Sequence, residues 1–173
     1  MLRRIAITGP ESTGKSDIAK ALAEYYQTQW VPEYAREYID RLERPYRFED
    51  IELIAKGQLE EEERRARMAS QYLFCDTEFL VTKVWSEYVF GKCSPWIHEK
   101  VKSHVYDLYL LMDIDLPWSD DPQREHPHKR KELLEIYNQE LISNNFPFGI
   151  VRGRGQVRLY NAIEIIQKFI KSY

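Results

Sequence analysis

The stretch "IAITGPESTGKS", residues 5–16, constrains this chain more than any other. An apolar run leads into a glycine-bounded loop, and the loop ends in a basic–hydroxyl pair that opens an amphipathic segment. Gly9, Gly14, Lys15 and Ser16 complete the pattern G-x-x-x-x-G-K-[ST]. Such a loop turns its backbone N–H groups inward, at the start of a helix, onto phosphate. The two glycines permit the unusual dihedrals and the close approach this requires. Lys15 then neutralises charge between the outer phosphates, Ser16 offers its hydroxyl to Mg²⁺, and Ser12 and Thr13 complete the cradle. The pattern demands a strand before it and a helix after it, so the chain must build a sheet covered by helices.

The rest of the sequence supplies that sheet. Arg4–Thr8 reads as the first strand, and a helix follows from Gly14 to about Thr28, with Ile18, Ala19, Leu22 and Tyr25 on one face. "WVPEY" is a short second strand broken by Pro32. "FEDIELIAKGQLEEEERRARMA" is a long helix, with Ile51, Ile54, Ala55 and Leu59 inward. "YLFCDT" is apolar on both faces, as in a parallel sheet covered on both sides. "EFLVTKVWSEYVFG" is a helix closed by Gly91, "DLYLLMDID" a fourth strand, "ELLEIYNQELI" a helix, "FGIVRG" a fifth strand and "QVRLYNAIEIIQKFI" a last helix. Between the fourth strand and its following helix lies "LPWSDDPQREHPHKRK", polar and broken by prolines. The expected fold is α/β of the P-loop NTPase kind: a five-stranded parallel sheet flanked by helices, with a small lid at about 114–131, in one domain over 1–173.

Composition narrows the partners. A net charge of −3 lacks the basic surplus of a general nucleic-acid binder. No apolar run is long enough to span a membrane, and the arginine-led start is too short in its apolar part for a secretory leader. Cys75 and Cys93 lack metal spacing and read as buried, reduced thiols. A small-molecule substrate, no nucleic acid, no membrane and a cytoplasmic setting are the resulting expectations; oligomeric state is not encoded in any pattern here.

The candidate catalytic groups lie at strand ends. Asp76 and Asp113 each close an apolar strand, where ligands of such sheets bind. Asp76 is favoured as the Mg²⁺ carboxylate, because the third strand usually neighbours the P-loop strand. Asp113 and Asp115 then open the excursion. Glu33 ends the second strand, where an acid can take a proton from an attacking hydroxyl; it can equally form a surface ion pair with Arg36. In the excursion, Arg124, Lys129 and Arg130 are placed to close over a phosphoryl group in transit. His126 and His128, near Asp120 and Asp121, read as a solvated loop rather than a zinc site. Gly153 and Arg154, in "GRGQ", allow backbone to approach an adenine ring, or simply make a turn. Tyr34, Trp85, Tyr88 and Trp118 are the aromatic candidates for an acceptor site.

Together these blocks resemble the ribosylnicotinamide kinase domain of the NadR family, a branch of the P-loop nucleoside and nucleotide kinases. The likeness rests on "ITGPESTGKS", "WVPEYAREY", "IAKGQ", "LFCDTEFLVTKVWSEYVFGKC" and "YDLYLLMDIDLPWSDDPQREHPH", in the family's order and over nearly the whole chain. It implies ATP and Mg²⁺ as cofactors and phosphorylation of nicotinamide riboside on its 5′-hydroxyl, giving nicotinamide mononucleotide. Members commonly carry a nucleotidyltransferase with an H-x-G-H motif and sometimes a helix-turn-helix. Neither pattern occurs here, so the sequence reads as the kinase domain standing alone. Two other readings remain open: a kinase of another nucleoside or nucleotide, and an ATPase switch without a phosphoryl acceptor.

Overall fold

The first strand, β1 (Arg3–Thr8), runs straight into the glycine loop and out of it into α1 (Lys15–Tyr25), as the motif requires. The computed structural model describes residues 1–171. The chain continues through β2 (Gln29–Val31), α2 (Tyr34–Asp40), α3 (Phe48–Ala66), β3 (Tyr72–Asp76), α4 (Phe79–Phe90) and α5 (Pro95–Ser103). It ends with β4 (Leu108–Met112), α6 (Arg130–Ser143), β5 (Phe148–Val151) and α7 (Gly155–Lys171). All five strands are parallel, in the order β2-β3-β1-β4-β5.

Every residue of β3 and β4 is buried, which explains why both read as unbroken apolar runs. One face of the sheet packs Leu73, Cys75, Tyr109 and Leu111 against α3, α4, α5 and α6. The other packs Ile5, Ile7, Phe74 and Leu110 against α1 and α7. Among the described residues no helix is long and apolar enough to cross a membrane. Both cysteines are free; Cys75 is fully buried and Cys93 only half-buried.

The structure departs from the sequence reading at several points. Tyr25 is exposed, and Ala23, one turn on from Ala19, takes its expected place in the core; α1 ends at Tyr25 rather than near Thr28. On α3 the inward stripe runs on through Gln58 and Glu62, leaving Leu59 partly covered. The second strand stops at Val31, before Pro32, so Glu33 does not end a strand but precedes α2. Helix α5 is an addition, although Ser94 caps it through a 3.2 Å bond from the Ile97 N–H and Pro95 opens it.

Gly57 is fixed by packing. A Cβ built on it lies 2.1 Å from Cε1 of the Tyr34 ring, so only glycine lets that ring lie over α3. Gly57→Ala is therefore expected to destabilise the protein by ~1–3 kcal/mol, the usual cost of overpacking, and to swing Tyr34 off the helix. Denaturant unfolding measures the first effect. An unchanged midpoint would show that the ring yields freely.

Candidate active site

The phosphate loop lies at the carboxyl ends of the strands. Gly9 has φ +127° and Gly14 φ +75°. A side chain at Gly9 would also stand 3.1 Å from the Met112 carbonyl oxygen, so the loop sits directly against β4. Lys15 Nζ, partly buried, donates to the Gly9 and Pro10 carbonyls at 3.0 and 2.8 Å. Burial pushes its pKa down, against the pull of Glu33, Asp76 and Glu11. Thr13 Oγ1 donates to the Pro10 carbonyl at 2.8 Å.

Strand register sets the two aspartates in different surroundings. Ile7 pairs with Asp76 across β1 and β3, which carries the Asp76 carboxylate to the start of α1. There Ser16 Oγ donates to Asp76 Oδ2 at 2.5 Å. Asp113 is engaged elsewhere: it accepts from Arg152 Nε at 2.9 Å and from the Ile114 N–H at 2.7 Å. Asp76 is 1% exposed, and its Oδ1 is buried without a hydrogen-bond partner. A hydroxyl and an unpaired carboxylate oxygen are hard donors, and they fit a divalent cation of the Mg²⁺ kind. Desolvation, and then the nearby negative charge of Glu33, push the Asp76 pKa up to about 7.

A cavity of about 1400 Å³ opens from the loop. Glu33, Tyr34, Arg36, Trp85, Tyr88, Arg124 and His126 all line it, so the structure gathers most of the expected residues around one space. Arg36 Nε donates to Glu33 at 3.1 Å and its Nη1 to Asp121 at 2.8 Å, joining α2 to the segment after β4. Trp85 Nε1 donates to Tyr46 Oη at 3.1 Å, and Tyr46 Oη in turn donates to Glu125 at 2.6 Å.

The segment between β4 and α6 is clasped by the phosphate loop. Glu11 accepts from the N–H groups of Glu125 and His126 at 3.2 and 3.1 Å, and Ser12 Oγ accepts from the Ser119 N–H at 2.9 Å. Arg124 reaches Ser12 Oγ at 3.5 Å and lines the cavity. Arg130 is not among the cavity-lining residues: it spends its Nη1 on the Ser12 and Leu116 carbonyls at 3.3 and 2.8 Å. Trp118 also lies off the cavity, 5.8 Å from the Arg130 guanidinium and bonded to Asp120. His128 is exposed, and Lys129 pairs with Glu132 at 2.9 Å.

Gly153 and Arg154 do not line this cavity either. The Gly153 N–H donates to Asp115 at 2.5 Å, and Arg154 Nε donates to the Asp115 carbonyl at 3.1 Å. Their loop is organised by a residue the sequence reading missed. Arg158, 2% exposed, donates to the carbonyls of Thr13, Asp113 and Gly153 and pairs with Asp115. It ties the phosphate loop to the ends of β4 and β5. Its position within an apolar-periodic helix disguised it as an exposed cation. Among the described residues one acid–histidine group has metal-ligand spacing, Glu62, Glu63 and His104. It lies by the start of β1, where Arg4 already pairs with both glutamates at 3.0 and 2.9 Å.

The AAA domain family matches residues 4–158. The chain belongs to that family. It is also similar to the trifunctional NAD biosynthesis/regulator protein NadR of Escherichia coli (strain K12), 27% identical over 178 residues. NadR of Salmonella typhimurium (strain LT2) is 26% identical over 176 residues. Each alignment covers 98% of this chain and 43% of the relative, so the chain spans less than half the length of these curated relatives. The crystal structure of NadR in complex with NR superposes with a TM-score of 0.84 at 22% identity, over 96% of this chain and 51% of that one. Deoxyadenosine kinase from M. mycoides, with dCMP, gives 0.63 at 15% identity, over 98% and 100%. The fold is that of the P-loop kinases, and the likeness to NadR seen in the motif blocks is borne out.

The buried Asp76 generates a pH-dependent prediction. Its folded pKa lies above the usual carboxylate value of 3.8, so the folded state binds the extra proton between about pH 4 and 7. Stability from this group is therefore lost as pH rises through that window and stays low above it. Asp76→Asn, without metal, is expected to be more stable than wild type at pH 8, and to lose that advantage near pH 4. Added Mg²⁺ should raise the wild-type melting temperature and leave the variant unmoved. Thermal melts at both pH values check this; a variant less stable than wild type at pH 8 would refute the buried charge.

Proposed function

We propose that this chain is an ATP-dependent kinase that phosphorylates the 5′-hydroxyl of nicotinamide riboside, giving nicotinamide mononucleotide for NAD salvage. One observation carries the reading: the phosphate loop, a carboxylate and an aromatic wall share a single cavity. The similarity to NadR, and to a NadR structure holding NR, supports the choice of acceptor. A NadR structure with NAD and AMP-PNP, superposing at a TM-score of 0.77, supports ATP as donor.

In this mechanism the loop N–H groups and Lys15 hold the phosphates of ATP, and Ser16 and Asp76 hold Mg²⁺. The ion supplies positive charge beside the phosphates when bound. Glu33 receives the proton of the 5′-hydroxyl as that oxygen bonds to the γ-phosphorus, and the β–γ bridging oxygen leaves with ADP. Arg124, at the loop and on the cavity wall, offsets the charge of the group in transit. Tyr34, Trp85 and Tyr88 line the space for the flat cationic ring, and Arg36 keeps Glu33 aimed into it.

Lys15→Ala is expected to fold and transfer almost nothing, since a positioned charge at the phosphates lowers the barrier by several kcal/mol. Glu33→Gln is expected to lower kcat by roughly 10²–10⁴ with nucleotide affinity little changed. The deciding experiment is a nucleoside panel assayed by coupled ADP release. Nicotinamide riboside should exceed uridine and thymidine by at least about tenfold, or ~1.4 kcal/mol, within reach of one partly desolvated cation–π contact. Preference for thymidine would make the chain a kinase of another nucleoside. Turnover without any acceptor would make it an ATPase switch.

A further inference from the structure

Within "IAKGQ", the last residue has a role that the phosphate chemistry does not explain. Gln58, on α3, is 3% exposed and lies where three segments meet. Its Oε1 accepts from the Tyr34 N–H at 2.8 Å. Its Nε2 donates to the Pro32 carbonyl at 3.3 Å and to the Asp76 carbonyl at 3.2 Å. Reversing the amide would set an oxygen against two carbonyls and an NH₂ against an N–H, so the partners fix its orientation.

The two partners on the β2–α2 turn flank Glu33 on either side. The third is the backbone of Asp76. One side chain thus bridges the turn that holds Glu33, through the residues on either side of it, and the residue that meets Ser16. Tyr34 opens α2, whose first N–H groups have no partner within the helix. Glu33 precedes the helix but accepts no capping bond from it. Gln58 takes the Tyr34 N–H instead, and the Glu33 carboxylate is left to Arg36 and the cavity. Gly57 next to it lets the Tyr34 ring lie on α3, so successive residues of one helix hold the turn by contact and by hydrogen bond.

We propose that Gln58 is a positioning residue that fixes the Glu33 carboxylate relative to Asp76, and so sets the spacing between the proton acceptor and the metal-side acid. It does not line the cavity. This inference rests on the reading of Glu33 as the proton acceptor of a nucleoside kinase. Misplacing a reacting group by about 1 Å costs on the order of 10²-fold in rate, and loss of a residue that orients such groups costs about 10- to 100-fold.

The test is a double-mutant cycle on the full chain with ATP, Mg²⁺ and nicotinamide riboside. Gln58→Met keeps length and removes all three bonds. Gln58→Glu keeps the acceptor for Tyr34 but sets an oxygen against both carbonyls. Each is expected to lower kcat by about 10- to 100-fold, with the KM for ATP held within about twofold and the melting temperature near wild type. In the Glu33→Gln background the same changes should cost less than about twofold, because there is no proton acceptor left to misplace. Equal costs in both backgrounds would overturn the proposal, as would wild-type kcat in either single variant. Failure of both variants to fold would overturn it in favour of a purely structural role.

A second readout does not depend on the acceptor. Hydrogen exchange of the metal-free chain should speed up at the Tyr34 amide in Gln58→Met and stay unchanged in the phosphate loop. Unaltered exchange at Tyr34 would refute the anchoring whatever the substrate. Wild type without activity on nicotinamide riboside would instead defeat the functional reading alone.

Discussion

The Asp76 carboxylate reaches the phosphate loop through strand register, and the surrounding groups are arranged around the cost of burying it. Parallel pairing sets Asp76 opposite Ile7, two residues before the loop begins at Gly9. Removing a carboxylate from water is expensive unless its charge is balanced. Ser16 satisfies one oxygen and the other has no partner, while Lys15 brings a partly buried ammonium close enough to be felt electrostatically. Glu33 works against this by adding a second negative charge. The cluster thus has room for added positive charge beside the unpartnered Asp76 oxygen.

The same constraint explains the scaffolding behind the site. A cluster of charges held close together in a poorly solvated site is fixed by the groups that anchor its backbone. Arg158 clamps the outer side by collecting carbonyls from the phosphate loop and the ends of β4 and β5. Gln58 clamps the inner side. Glu78, buried at the start of α4, has its pKa pushed up to about 7 by desolvation, against a 2.6 Å bond from the Leu80 N–H. The clasp made by Glu11 and Ser12 joins the glycine loop to the segment after β4.

Much of this was legible because it is carried by period and motif. The strand–loop–helix start, the two-faced apolar strands and the Asp at the end of β3 each follow from local rules. What was not legible depended on contacts distant in sequence. Arg158 lies on a helix among residues with helical apolar spacing, and nothing local marks it as buried; its partners stand 5 to 145 residues away. Arg130 looked like a free lid cation, yet backbone carbonyls at Ser12 and Leu116 claim it. Trp118 looked like an acceptor contact, yet it packs by that same arginine. Glu33 reads as a strand end, yet β2 stops at Val31 and α2 opens at Tyr34, a boundary that nothing local in "WVPEY" places to the residue.

That break has a chemical consequence. Had β2 continued through Glu33, the side chain direction would have been set by the pleat, one face or the other. Stopping the strand at Val31 and opening a helix at Tyr34 leaves Glu33 in extended backbone, with φ −65° and ψ 103°, between two ordered elements. Its direction is then set by whatever holds the turn on both sides. Proline fixes one side by its ring; Gln58 holds the carbonyl of that proline and the first N–H of the helix. A carboxylate placed in this way is aimed by a turn rather than by a sheet, and α3 supplies the rigidity that the turn alone lacks.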